Sequence, residues 1–257
     1  MEILPERPEN LDVEAELDAL AARYRGASGV GIQLLNLIGG QTENLLEKLP
    51  EGIRTRLGSQ TEAALKAALK AAQSSRRALP DQPGWLNTAV TTAMGAAGGA
   101  GGLPTALAEL PVTTTVLLRA IQGIAAEHGF NPDEEGVQFD CIQVFAAAGP
   151  LEDDDGSDLA FISTRLLVTG SALQGLIARV APRLAVVLGQ KLAAQTVPLL
   201  GAVAGAATNY AYTSYYQEIA HVHFGLRRLA ITADRDQAEL VEALRQRIRM
   251  PPVKRAG

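Results

Sequence analysis

The chain has 257 residues, with 23 Lys and Arg against 28 Asp and Glu, for a formal net charge of -5. Its 47% hydrophobic content excludes intrinsic disorder, and a single cysteine excludes a disulfide scaffold. That cysteine with only three histidines argues against a zinc cluster, and a pI near 5.3 argues against a nucleic-acid binder.

From Glu2 to Asp18 the sequence carries seven acids against Arg7 alone. No basic segment followed by an apolar one opens it, so it does not read as a secretory leader, and the cytoplasm is the expected compartment. Val13, Leu17, Leu20 and Tyr24 share one face of a helix over 9–25. Residues 28–48 read as further helix on Ile32, Leu35, Leu45 and Leu46, weakened at Gly39-Gly40. Ser59-x-x-Glu62 is a capping box that opens a helix over 59–79. Lys66, Lys70, Gln73 and Arg77 form a polar stripe there, and six bases face one acid between Arg54 and Arg77, Arg76 included. Such a stripe is ordinarily a solvated face. The sharper reading is a basic amphipathic helix that meets anionic lipid or the acidic N-terminal arm.

Residues 80–85 read as a turn. The glycine-rich run Gly95–Pro104 lacks the Lys-Ser/Thr ending of a phosphate loop, and no strand precedes it. Its glycines permit close helix contact or a hinge. Pro111 is expected in the first turn of a helix reaching about His128. Asn131-Pro132-Asp133-Glu134 predicts a helix start, with Gly149-Pro150 as its end. The acidic loop 151–158 lacks the ligand spacing of a calcium loop. Residues 159–195 predict one or two helices, with Pro182 a possible start. Pro198 opens the next, running through Tyr216 to Arg228, and Asp234-x-x-Gln237 opens a last helix to about Arg249. No useful β alternation occurs. The expected class is all-α: a single Ala/Gly-rich multi-helix domain with closely packed glycine-containing central helices over 28–232. An acidic arm or helix over 1–27 and a C-terminal helix and basic tail over 233–257 flank it.

Two stretches are long enough to raise the question of the membrane. Residues 192–217 hold no charge and 82–118 hold only Glu109. Their Gly, Ala, Thr, Asn and Tyr content is poor in the large aliphatics of true spans, so a buried helix is favoured over an inserting hairpin or a span.

Chemistry is thinly marked. Glu218-x-x-His221 is half of a di-iron carboxylate motif with no second copy, so no metal site is assigned. His221 and His223 are two apart and face different ways on a helix. No Gly-x-Ser-x-Gly elbow occurs, and Cys141 sits at an apolar helix position, as a structural thiol does. No catalytic residue and no cofactor is assigned. Arg119, Gln122, Lys191 and Asn209 interrupt Ala/Leu/Val surroundings and, if buried, need partners. They form either a core polar network or a pocket for an amphiphile. Glu109 or Asp140 is the expected carboxylate for Arg119.

GGAGGLPTALAELPVTTTVLLRAIQGIAAEHGFNP resembles the signature of the EcsC family through Gly101, Gly102, Leu103, Pro104, Arg119, Ile121 and Gln122, with Gly129, Phe130 and Pro132 following. VPLLGAVAGAATNYAYT is similar through Pro198, Gly201, Ala202 and Asn209, and HFGLRRL through His223, Phe224, Arg228 and Leu229. The resemblance covers roughly residues 30–230. It implies a bacterial, membrane-associated protein linked to an ABC transporter, with no established reaction.

The first expectation is therefore a non-enzymatic protein at the inner face of the plasma membrane that binds lipid, an amphiphile or a membrane complex. Lys66, Lys70, Arg76, Arg77, Arg245, Arg247 and Arg249 are its candidate electrostatic contacts to an anionic surface. Arg119, Gln122, Asp140, Lys191, Asn209 and His223 are its candidate ligand or polar-network residues. A hydrolase using Glu127, His128, Glu218 and His221 is the rival, and a soluble protein-interaction module is the third reading.

Overall fold

The computed structural model describes residues 11–37, 45–78, 81–100, 102–147, 170–195 and 201–249. Among these there are nine α-helices and no strand, as the missing alternation predicts. They are α1 (Val13–Leu37), α2 (Glu51–Arg54), α3 (Leu57–Ala78), α4 (Gly84–Ala100), α5 (Gly102–Glu127), α6 (Glu135–Val144), α7 (Gly170–Gln195), α8 (Gly201–Ala233) and α9 (Gln237–Arg249), with a short 3-10 turn at Leu45–Lys48.

Helix α8 is the axis of the molecule. Its 33 residues make it about 50 Å long, and α1, α4, α5, α6, α7 and α9 all touch it. The most extensive pairing is α4 on α8, followed by α1 on α8, while α3 lies over α5 and α7. The core follows from the apolar stripes. Leu17, Leu20 and Tyr24 of α1 are buried as their spacing predicts, and Tyr212, Tyr216 and Phe224 of α8 fill the centre with Phe145. The Phe145 and Tyr216 rings meet edge to face, with centroids 5.2 Å apart.

Several boundaries differ from those read in the sequence. α1 runs unbroken through residue 27 to Leu37, since Gly26 and Gly29 lie inside it with open space around them. Gly39-Gly40, the loop 151–158, Pro198 and the tail beyond Arg249 lie outside the described residues. Pro111 and Pro182 sit inside α5 and α7 instead of opening helices. Both are exposed, so the ring occupies the solvent side of its helix. Ser59 lies inside α3, where its hydroxyl donates to the Arg56 carbonyl instead of capping the helix. Asn131 Oδ1 accepts from the Asp133 amide in a turn, and α6 begins later, at Glu135. Asp236, not Asp234, caps α9, accepting from the Ala238 and Glu239 amides. Asp234 instead takes a left-handed φ of 51° after α8, where the Arg235 amide closes back on the Ala230 carbonyl.

Among the described residues no helix is long and apolar enough to cross a membrane. The 82–118 stretch forms α4 and most of α5. The 192–217 stretch divides between the end of α7 and the first half of α8.

Candidate functional site

Small residues let α4 and α8 lie almost in contact as an antiparallel pair. Gly84 faces Gln217 at one end, and Gly95 faces Gly205 and Asn209 further along. A β-carbon on Gly95 would stand 2.2 Å from the Gly205 carbonyl oxygen and 2.7 Å from the Asn209 amide. This is the close-packing role expected of the glycine-rich run.

That contact brings a polar network into the core where α4, α5, α7 and α8 meet. Glu109 Oε1 accepts from Lys191 Nζ at 3.2 Å, from Asn209 Nδ2 at 2.5 Å and from Thr113 Oγ1 at 2.8 Å. Asn209 Nδ2 also donates to the Thr91 carbonyl at 2.6 Å, so both of its amide contacts are acceptors and its orientation is fixed. The Thr91 and Thr213 hydroxyls meet at 2.7 Å. The Lys191 side chain is 1% exposed and that of Glu109 6%. Burial pushes the Lys191 ammonium down from the usual lysine range, and the Glu109 carboxylate acts the other way.

Two further ion clusters tie helices together. Asp140 of α6 pairs with Arg227 of α8, and His223 Nε2 lies 3.6 Å from the same carboxylate. Arg227 in turn stacks on Phe130, 4.4 Å from the ring centre. Arg119 does not reach Glu109 or Asp140. Its carboxylate is Asp81, at 3.5 Å, in the turn before α4, and Arg76 shares it at 2.8 Å. Glu109 and Arg119 are ten residues apart on one helix, about 15 Å along its axis, so one carboxylate cannot serve both Arg119 and the core network. Gln122 is wholly buried, and neither of its amide atoms finds a hydrogen-bond partner among the described residues.

The rival catalytic residues do converge in part. His128 Nε2 lies 3.1 Å from His221 Nδ1, and Glu218 pairs with Arg23 of α1. Burial is the largest cause holding both imidazoles below their ordinary range, His128 at about 4. Among the described residues no serine or cysteine hydrogen-bonds to either ring, and no cluster of three or more metal-ligating side chains occurs. Cys141 is wholly buried, and burial pushes its thiol far above the usual range, an environment that disfavours the thiolate.

The basic candidates are largely engaged. Lys66 pairs with Glu62, Arg245 with Glu242, and Arg247 with both Glu14 and Asp18 of α1. Lys70 and Arg249 are exposed, and the Arg77 side chain lies outside the described residues.

On the outer side of the α4–α8 pair runs an open groove of about 790 Å³. Trp85, Thr88 and Ala93 of α4 line one wall, and Tyr210, Ser214 and Gln217 of α8 the other. Large apolar side chains are exposed on three helices that pack on one another: Trp85 of α4 is 71% exposed, Val203 of α8 61% and Val112 of α5 52%. No residue of α4 is charged, none from Gly201 to Gln217 of α8, and in α5 up to Leu118 only the buried Glu109.

Residues 33–229 match the EcsC protein family. The chain belongs to the EcsC protein family. No curated protein and no solved structure matches it. The EcsC-matching span holds the Glu109–Lys191–Asn209 network, the Asp140 cluster and both walls of the groove, while α9 lies outside it.

Threonines 91, 113 and 213 belong to the network and escaped the sequence reading. Their one signal was hydroxyl groups at helical spacing within Ala-rich stretches. The Asp81 contact had none, because a turn residue carries no periodicity.

Proposed function

We propose that this protein is a non-enzymatic accessory protein that docks on a bilayer through its α4–α8 face and there serves a membrane complex such as an ABC transporter. The observation that carries the docking is the charge-free, apolar surface of α4, the first half of α5 and the first half of α8. Exposed apolar side chains on uncharged stretches of three mutually packed helices, in a chain that is 20% charged, favour an interaction surface. Its polarity falls along the helix pair, from Thr88, Ser214 and Gln217 at one end to Ala96 and Val203 at the other. That gradient suits entry of the Ala-rich end into the acyl region, with Trp85 at head-group level. The transporter part of the reading rests on the family alone.

The basic residues contribute less to this docking than their number suggests. Arg245 and Arg247 already face carboxylates, and Arg76 faces Asp81. Attachment is therefore mainly apolar and does not require anionic lipid. The test is flotation with neutral and with anionic vesicles, read also by the emission of Trp85, the only tryptophan. Binding to both, with a blue shift and little loss in high salt, is the expected result. No flotation with either composition overturns the reading.

A further inference from the structure

A second groove, of about 540 Å³, lies between α3 and α5 and shares no lining residue with the α4–α8 groove. Nine of its eleven lining residues are Leu, Ala or Pro, and the other two are Gln60 and Thr61. Its apolar floor is recessed. Leu57 of α3 and Leu188 of α7 are buried, while Ala63, Ala67 and Pro111 are exposed along its walls.

Cations stand at both ends of this groove. Arg56, Gln60, Ala63, Ala67 and Lys70 follow one another at steps of three and four residues, so they share one stripe of the helix. Arg56 belongs to the first turn, since its carbonyl accepts the Gln60 amide at 3.0 Å. The middle three residues line the groove, which leaves Arg56 and Lys70 beyond its ends, about 21 Å apart. Both are exposed, and neither has an ion-pair partner among the described residues. No acid competes for them nearby on these walls: Glu62, the one acid of α3, is held by Lys66 at 2.6 Å, and Glu109 of α5 is turned into the core network.

This arrangement selects its occupant. A flat bilayer that met Arg56 and Lys70 would leave the recessed leucines uncovered, whereas a ridge of side chains reaches them. An amphiphile with a single anionic head answers one cation and leaves the other about 21 Å away. A helix of about four turns spans the whole stripe, lays an apolar ridge into the groove and carries a carboxylate to each cation. The small side chains of Ala63, Ala64 and Ala67 let the axis of such a helix come close to α3. We propose that the α3–α5 groove docks an amphipathic helix of a partner protein, with leucine-type residues on its inner face and acidic residues towards both ends. The site is independent of the bilayer docking proposed above.

The experiment selects a displayed library of helix-forming peptides of about sixteen residues, long enough for four turns, against the full chain. The library varies among Leu, Ala, Glu, Gln and Lys, and the selected peptides are titrated by fluorescence polarisation. They are expected to carry Leu at helical spacing with Glu towards both ends, and to bind more weakly as salt rises. Ala67→Trp fills the groove from an exposed position and is expected to weaken them at least about tenfold. Arg56→Glu with Lys70→Glu changes only exposed side chains. It is expected to weaken the acidic peptides about tenfold and to turn the selection towards Lys-bearing ones. Selected peptides without acidic bias, peptides indifferent to both variants, or no selected binder overturns the proposal. Flotation on anionic vesicles alone, abolished by the charge reversal, also overturns it, because the cations then serve lipid head groups. Loss of acidic-peptide binding by the charge-reversed chain, with its flotation on neutral vesicles retained, is the pattern expected when this site and bilayer docking are separate.

Discussion

Gly95 and Gly205 meet so closely across the α4–α8 pair that a β-carbon on the first would lie 2.2 Å from the carbonyl oxygen of the second. Backbone cannot yield as a flexible side chain can, so the helices must part. Asn209 is the next atom group in the way, so the strain reaches the buried network directly. Gly95→Ala is expected to lower stability by about 2–4 kcal/mol, beyond ordinary overpacking. Gly175→Ala is the control: it lies within α7 in open space and should raise stability by up to about 1 kcal/mol. Urea unfolding of the two variants against the parent checks both signs.

The buried ion pair gives a second expectation. Lys191→Met leaves the Glu109 carboxylate in the core with only Asn209 and Thr113 donating to it, and should cost about 3 kcal/mol. Glu109→Gln leaves the ammonium with no opposite charge and should cost at least as much. The double variant should lose less than the sum of the two, by about 1–3 kcal/mol. A strictly additive double-mutant cycle would show that the pair does not act as a unit.

Acid should loosen the protein through the two imidazoles. His128 is held at about 4 by burial first, then by His221, Arg228 and Arg23, against an ordinary 6.5. His221 is lowered by burial and Arg23, partly offset by Glu218 and Glu127. Between pH 6.5 and about 4 the unfolded chain therefore binds protons that the folded chain refuses. The stability present above pH 6.5 is lost as pH falls through that window. Urea midpoints measured across it should decline, and His128→Gln should flatten the decline. A midpoint that rises on acidification refutes the assignment.

The contacts between α1 and α9 should matter locally more than globally. Arg247 bonds Glu14 and Asp18, but those carboxyl side chains are mostly exposed, which limits the contribution to about 1 kcal/mol. Arg247→Ala should leave the unfolding midpoint nearly unchanged while amide exchange quickens at the start of α1 and the end of α9.

The all-α class, the apolar face of α1 and the close-packing use of Gly95 were legible because helical period and glycine placement are local signals. That Lys191 and Asn209 would need partners if buried was legible too, since a polar group enclosed in Ala/Leu/Val surroundings must be hydrogen-bonded. Their shared partner was not. Which carboxylate reaches which cation depends on the rotation and separation of helices far apart in sequence, as the assignment of Arg119 to Asp81 shows. Helix ends were the weakest part. A proline on the solvent side of a helix, as at Pro111 and Pro182, marks no boundary, and the sequence does not state which side it occupies. The groove was invisible for a related reason. Its residues are ordinary Ala, Thr and Tyr, made into a site only by the approach of α4 to α8.

The seating of Leu20 against Gly225 has a consequence for biosynthesis. The apolar stripe of α1 is made well before its cover, α8, which follows some 200 residues later. At a translation rate of ~5–20 residues per second, Leu17, Leu20 and Tyr24 wait roughly 10–40 s for that cover. During this interval the nascent chain presents a sticky helix to its surroundings. A ribosome-proximal chaperone has the whole of that time to engage it.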